Sequence, residues 1–313
     1  MSELSIPGIR LGVAQAGIKY ADRDDLTIIE IADGSTTAAV FTQNAFRAAP
    51  VLVAERNNAN GDAKYILINS GNANAGTGAP GMAACEQSCE ALAAATQTNS
   101  DQVLPFSTGV IGEVLPVDKL ESALPDAIHD LSATNWDRAS RAIMTTDTVP
   151  KLRSKVVILE DGRRCQLVGM SKGSGMIQPN MATMLGFIAT DASISREMLD
   201  GMLRSAVNVS FNRITVDGDT STNDAVTLTA TGQSDVVITP TDRASALAFQ
   251  AALTELATEL AQDIVRDGEG ATKFVEITVS SAQSEAEADQ VARTVAHSPL
   301  VKTALFASDP NWG

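Results

Sequence analysis

Histidine is scarce in this sequence of 313 residues, which contains two of them. His129 and His297 are far apart, and neither has a cysteine or a second histidine at metal-ligand spacing. Each is better explained as a residue on a helix surface or cap than as part of a Ser-His-Asp or Cys-His arrangement. If the chain is an enzyme, its general base must come from another group.

Cysteine is also rare, and the three cysteines do not resemble a disulfide framework because their number is odd and the chain is long. Cys85 and Cys89 lie four residues apart, with Leu92 following them. This spacing predicts the inner face of a helix, so we expect structural cysteines and no metal site.

Positive charge is in deficit, since 23 Lys and Arg face 38 Asp and Glu, for a net charge of -15 and a pI near 4.5. Such a surface repels the phosphates of nucleic acids and of anionic membranes. The sequence has no apolar run of the roughly 20 residues that cross a bilayer, and its first residues lack the features of a signal peptide. We expect a cytoplasmic protein that acts on small molecules, without nucleic-acid or membrane partners.

Hydrophobic residues make up 44% of the sequence, which is enough for a large core. Asp-Gly turns predict two hairpins, one over 26–42 around Asp33-Gly34 and one over 156–168 around Asp161-Gly162. The remaining pattern predicts strands at 65–69, 184–188, 226–231 and 274–279, and helices after Pro80, at 120–131, 135–144, 199–206 and 253–264. This irregular alternation favours a layered α+β fold without Rossmann or barrel regularity.

The stretch from Lys172 to Leu185, Lys-Gly-Ser-Gly-Met-Ile-Gln-Pro-Asn-Met-Ala-Thr-Met-Leu, is the most informative segment. Cleavage of its Ala182-Thr183 bond would give Thr183 an α-amine with a pKa near ~8, which could serve as the base for the threonine hydroxyl. Gly173 and Gly175 would permit the unusual backbone angles that self-cleavage needs. The alternative from pattern alone is a Gly/Pro loop before a buried strand. The missing Gly-Lys-Ser/Thr ending argues against a P-loop.

Four further polar loops carry candidate groups. In 107–112, the Thr108 hydroxyl and the Gly109 N–H could stabilise an oxyanion, although an ordinary turn explains the pattern as well. The hydroxyls of 145–148 suit either a polar substrate or helix capping. Glycines on both sides of Glu269 could expose its carboxylate to an ammonium group, or form a solvated loop after a helix.

The fourth loop, Asp217 to Asp224, alternates oxygen-bearing side chains as a calcium loop does. Thr222 and Leu228 occupy the positions where an EF-hand requires glycine and a bidentate glutamate. We therefore interpret this loop as a hydrogen-bonded turn near the site.

Taken together, the ordered motifs resemble the ornithine acetyltransferase (glutamate N-acetyltransferase) family of arginine biosynthesis. The resemblance runs from the first strand to the last residue, and it is carried by 172–185, 217–224 and 267–273, with 69–75, 144–148 and 298–303 in agreement. It implies a four-layer α/β/β/α sandwich that resembles N-terminal-nucleophile hydrolases but has a distinct topology.

The resemblance also implies an activity and its residues. A precursor would cut itself between Ala182 and Thr183 into an α chain, 1–182, and a β chain, 183–313, that assemble as a heterotetramer of two each. Thr183 would carry acetyl from N2-acetylornithine to glutamate, and acetyl-CoA would be a co-substrate if the chain also makes N-acetylglutamate, which we favour; no bound cofactor or metal is implied. The implied site residues are Thr108 and Gly109 for the oxyanion, and Lys172, Thr183, Glu269 and Thr145, chosen over Thr146, for substrate.

One departure concerns the end of the sequence, Ser308-Asp-Pro-Asn-Trp-Gly313, where family members continue with residues that contact substrate. We expect an incomplete C-terminal part, either as a fragment or as a truncated variant. Two alternatives to the acetyltransferase stay open: an amide hydrolase or aminopeptidase with the same kind of threonine nucleophile, and, because of the missing end, a non-catalytic remnant.

Overall fold

The computed structural model describes residues 4–178 and 184–310. Its strands are β1 (Ile9–Ala14), β2 (Leu26–Ile31), β3 (Thr36–Phe41), β4 (Tyr65–Asn72), β5 (Val103–Val110), β6 (Lys151–Ile158), β7 (Arg164–Lys172), β8 (Leu185–Thr190), β9 (Ser193–Ile194), β10 (Ala225–Ala230) and β11 (Val237–Ile238). Its α-helices are α1 (Ala49–Ala59), α2 (Gly78–Thr96), α3 (Val117–His129), α4 (Trp136–Ala142), α5 (Arg196–Val209), α6 (Arg243–Arg266), α7 (Glu285–Ala296) and α8 (Pro299–Ala307). None of these helices is long and apolar enough to cross a membrane.

Two large sheets form the centre of the molecule. The first has the strand order β1-β2-β4-β5, and the second has the order β3-β10-β8-β7-β6. Both are mixed, since β4 runs parallel to β5 and β10 runs parallel to β8, whereas the other neighbouring strands are antiparallel. The strands β9 and β11 form a separate short parallel pair.

Apart from the edge strand β6, the strands of the two large sheets are mostly buried on both faces because each sheet is covered on both sides. In β4, Ile66 and Ile68 pack into a core between the two sheets, whereas Leu67 packs into a second core against the helices. Phe106 of β5 and Phe187 of β8 meet across the sheets edge to face, with ring centroids 5.2 Å apart. A third core joins the outer face of the second sheet to α5 and α6. The predicted α/β/β/α layering is therefore confirmed.

Two of the sequence predictions are wrong. The strands β2 and β3 exist and Gly34 between them has a φ of +79°, but they do not form a hairpin, because β2 pairs with β1 and β4 and β3 pairs with β10. Residues 274–279 form no strand, since no neighbouring strand pairs with their backbone within the described residues. The hairpin over 156–168 is confirmed, as β6 pairs with β7 in antiparallel register.

Both predictions about cysteine and histidine agree with the fold. Cys85 and Cys89 are buried on α2, and their thiols are free. His129 is the last residue of α3, and His297 caps the C-terminus of α7.

Candidate active site

A cavity of about 470 Å³ lies where the two sheets meet at one edge. The cavity is lined by the ends of β4, β5 and β7, by the start of β8, and by the loops before β2, after α4, before β10 and after α6. The predicted site residues within the described chain all lie on its wall, namely Thr108, Gly109, Thr145, Lys172 and Glu269. Ala182 and Thr183 lie outside the described residues, and Met184 lines the cavity next to them in sequence.

Lys172, the last residue of β7, connects several of these groups. Its side chain is only 5% exposed, and its Nζ donates to the Thr145 Oγ1 at 2.8 Å and to the Thr108 Oγ1 at 3.2 Å. Burial lowers the pKa of this ammonium, and the Asp147 carboxylate, with its Oδ2 3.8 Å from Nζ, opposes that effect. The fold thus places one buried cation between two hydroxyl groups at the cavity wall.

Thr108 and Gly109, the two residues predicted to stabilise an oxyanion, lie near the end of β5 on the cavity wall. Because the Thr108 oxygen accepts from Lys172, its own proton is free to be donated elsewhere. Gly109 has a φ of +136°, and a Cβ placed on it would lie 2.2 Å from the backbone carbon of Gly71 on β4. Only glycine fits there, since the two strands approach too closely for any side chain.

The two adjacent threonines after α4 have different partners. The Thr145 hydroxyl accepts a hydrogen bond from Lys172, as the Thr108 hydroxyl does. The Thr146 hydroxyl is 2.7 Å from the Ser174 hydroxyl instead. Both threonines line the cavity, and the contact with the buried cation supports the choice of Thr145.

Glu269 follows α6 and faces the glycine-rich segment after β7. Its N–H donates to the Ser174 carbonyl at 2.8 Å, and a Cβ placed on Gly175 would lie 2.6 Å from the Glu269 Cδ. Gly175 does not have a positive φ, so the structure corrects the predicted reason for this glycine. It provides space for the Glu269 carboxylate, whereas Gly173 (φ +146°) does adopt the unusual backbone angle.

The acidic loop 217–224 holds the chain on both sides of residues 179–183. On one side, the Asp217 Oδ1 accepts from the Ile177 N–H at 2.8 Å, and on the other the Asp224 Oδ1 accepts from the Met184 N–H at 2.7 Å. Asp217 also accepts from the Asp219 N–H within its own loop. The prediction of a hydrogen-bonded turn near the site is confirmed.

Residues 10–313, which include all the cavity residues named above, match the model of the ArgJ family. The chain belongs to the ArgJ family. It is 57% identical over 308 residues to the arginine biosynthesis bifunctional protein ArgJ of Methylococcus capsulatus, covering 98% of this chain and 75% of that protein. The protein of the same name from Pseudomonas syringae pv. tomato is 53% identical over 311 residues, covering 98% of this chain and 76% of its own.

Among solved structures, the PH0078 protein of Pyrococcus horikoshii OT3 shares the fold with a TM-score of 0.52. It is 14% identical and covers 84% of this chain and 85% of its own. The family predicted from the ordered motifs is confirmed by the ArgJ-family match and by both relatives.

In this ArgJ-family chain, sequence reasoning missed a buried charge network behind the cavity. Lys151 at the start of β6 donates to the Asp147 Oδ1 and to the Asp267 Oδ2, both at 2.6 Å. Burial would raise the pKa of Asp147, but the Lys172 and Lys151 ammonium groups and the Gly173 N–H together lower it to about 2. The sequence held no signal for this charge network, because Lys151 is only one of several charged residues in β6.

Across residues 4–178 and 184–310, no group of three or more His, Cys, Asp or Glu side chains is arranged to hold a metal ion. The described residues that line the cavity include no histidine. Within this part of the chain, the chemistry available at the cavity is that of hydroxyl, ammonium, carboxylate and backbone N–H groups.

Proposed function

We propose that this chain is an ornithine acetyltransferase that moves acetyl from N2-acetylornithine to glutamate in the cyclic pathway of arginine biosynthesis. The observation that carries the proposal is the meeting of Lys172, Thr108 and Thr145 on one cavity wall, with Glu269 on the same cavity. Such a site offers a cation for a carboxylate, a carboxylate for an ammonium and hydroxyls for an oxyanion. The names of the ArgJ relatives support the pathway.

Thr183 is the nucleophile in this proposal, released by cleavage of the Ala182-Thr183 bond. The products are an α chain, 1–182, and a β chain, 183–313, which assemble as a heterotetramer of two each. The anchoring of Ile177 by Asp217 and of Met184 by Asp224 supports the cleavage, since both flanks of the bond are held in place.

The transfer proceeds in two half-reactions. The Thr183 α-amine takes the hydroxyl proton while Oγ attacks the acetyl carbonyl of N2-acetylornithine, and the Thr108 O–H and Gly109 N–H stabilise the oxyanion. Collapse of the tetrahedral intermediate breaks the bond from the acetyl carbon to nitrogen, and the ornithine amine leaves with the proton that the Thr183 amine held. The glutamate amine then attacks acetyl-Thr183 by the reverse route, releasing the Thr183 hydroxyl.

Two charged groups orient the substrates. The Lys172 ammonium binds a substrate carboxylate, and Thr145 adds a hydroxyl next to it. The Glu269 carboxylate, which is exposed to the cavity, pairs with a substrate ammonium. Because Lys172 is nearly buried, its charge acts over a short range in a low-dielectric wall.

The proposal extends to a second activity and to location. The relatives are named bifunctional, which supports acetyl-CoA-dependent synthesis of N-acetylglutamate at the same nucleophile. The site of action is the cytoplasm, which agrees with the net charge of -15 and the small-molecule cavity.

The first test is intact mass spectrometry and a denaturing gel of the expressed chain. Two polypeptides that meet between Ala182 and Thr183 are expected, and Thr183→Ala should give one. Acetyl transfer is then measured with N2-acetylornithine in the presence and absence of glutamate. Acetyl release independent of glutamate would indicate the amide hydrolase, an uncleaved and inactive chain would indicate the non-catalytic remnant, and cleavage or transfer by Thr183→Ala would refute the nucleophile.

A further inference from the structure

The charge network behind the cavity is buried and electrically balanced. The side chains of Lys151, Asp147 and Asp267 are 1%, 0% and 4% exposed, respectively. With the neighbouring Lys172, the network holds two carboxylates and two ammonium groups. Buried charges are costly unless they are paired and hydrogen-bonded, and every member here has partners at close range.

Asp147 joins the two segments that carry the substrate-facing groups. Its Oδ1 accepts from the Gly173 N–H at 2.7 Å, and its Oδ2 accepts from the Thr145 N–H at 3.1 Å. Gly173 follows Lys172 directly, so one carboxylate fixes the backbone at both Lys172 and Thr145. The 2.8 Å bond from the Lys172 Nζ to the Thr145 Oγ1 depends on that spacing.

Asp267 extends the network to the third segment. Its Oδ2 accepts from the Thr148 N–H at 3.0 Å, and its Oδ1 accepts from the Thr148 hydroxyl. Two residues further on, the Glu269 N–H donates to the Ser174 carbonyl. Lys151 bridges Asp147 and Asp267, and it therefore connects the segments at 145–148, 172–174 and 267–269.

We propose that Asp147, Lys151 and Asp267 are positioning residues that hold Lys172, Thr145 and Glu269 at the separation that substrate binding requires. They act through those residues and do not touch substrate, since none of the three lines the cavity. The proposal rests on the proposed function, because it assigns Lys172 and Glu269 the two charged ends of the substrate. It concerns binding rather than the chemical step, so the substitutions should act mainly on KM.

The test compares Asp147→Asn with Lys155→Met. The first substitution keeps the shape of the side chain but removes one charge. Lys155 lies on the same strand as Lys151 and forms ion pairs with Glu255 and Glu259 of α6, away from the cavity, so Lys155→Met controls for the loss of an ion pair on β6. Cleavage is followed by intact mass, folding by circular dichroism, and transfer by kcat and KM for N2-acetylornithine.

Asp147→Asn should raise KM by roughly 10- to 100-fold with an unchanged cleaved fraction, because misplaced charged groups lose their contacts with substrate. Lys155→Met should leave KM within about twofold of the wild type. A fall in kcat at unchanged KM would indicate a purely structural role and overturn the proposal. If Asp147→Asn does not fold, Asp267→Asn is measured in its place. A raised KM in that variant supports the proposal, and a fall in kcat at unchanged KM overturns it.

Calorimetric titration with ornithine separates this proposal from the proposed function. A wild-type chain that binds ornithine but transfers no acetyl contradicts the function alone, and a raised Kd in Asp147→Asn would still support the positioning role. An unchanged Kd, or a wild-type chain that does not bind ornithine, counts against the positioning role itself.

Discussion

Gly175→Ala is expected to impair substrate binding by displacing one carboxylate, with little effect on stability. The added Cβ would lie 2.6 Å from the Cδ and Oε1 of Glu269 and 2.8 Å from its Oε2. A normal carbon-carbon contact needs at least about 3.5 Å, so the carboxylate must retreat by roughly 0.9 Å. Because the Glu269 side chain is exposed and can rotate about its own bonds, and because Gly175 has no positive φ, the backbone can stay in place.

The size of the effect follows from the charge-assisted contact that Glu269 makes in the proposed function. Its displacement should weaken the pairing with a substrate ammonium by about 1 to 2 kcal/mol, which corresponds to a roughly 5- to 30-fold higher KM for N2-acetylornithine. The melting temperature should stay close to that of the wild type. Steady-state transfer assays and thermal unfolding of the same preparation measure both quantities.

Glu269→Gln provides the matching half of a double-mutant cycle. If Gly175→Ala acts through the carboxylate, the double variant should have nearly the same KM as Glu269→Gln alone, since the displaced group has already lost its charge. Fully additive effects, or an unchanged KM in Gly175→Ala, would show that this glycine does not serve the placement of Glu269.

Three further predictions concern stability. Gly201→Ala, in the exposed face of α5 with nothing within 4 Å of the new Cβ, should raise the free energy of unfolding by about 0.5–1 kcal/mol in urea titrations and leave transfer unchanged. The pKa of Asp147, lowered to about 2, means that its ionisation stabilises the folded state above pH ~4 and that this stabilisation is lost as pH falls towards 2. The free energy of unfolding should therefore fall by about 1 kcal/mol more between pH 7 and pH 3 in the wild type than in Asp147→Asn. Burial raises the pKa of Asp224, so the folded state favours its protonated form and its ionisation destabilises the fold as pH rises above ~4. Asp224→Asn keeps an acceptor for the Met184 N–H, and it should be more stable than the wild type at pH 7, with the difference vanishing towards pH 4.

Local patterns predicted a layered α+β fold and the hairpin of β6 and β7, and the family resemblance implied the four layers, but the long-range strand partners could not be predicted. The Asp33-Gly34 turn does provide the expected positive φ, yet it joins two sheets and not two paired strands. Turn chemistry fixes the local chain direction, whereas the partner of β3 is β10, which lies far away in sequence. Pairing at that distance depends on which apolar faces are buried together, and no short window of sequence contains that information.

The site shows the same division between local and tertiary information. The motifs identified Lys172, Thr108 and Glu269 because their residue types and order resemble a family, whereas Asp147 stood out only as part of a hydroxyl-rich helix end. Its role becomes visible once folding buries it between two ammonium groups and two backbone N–H groups. Burial is what makes these contacts matter, since each ion pair of the same carboxylate on the surface would contribute at most about 1 kcal/mol to stability. The predicted cavity residues of this site could therefore be found by motif, whereas the buried charges that contact their backbone become visible only in the three-dimensional structure.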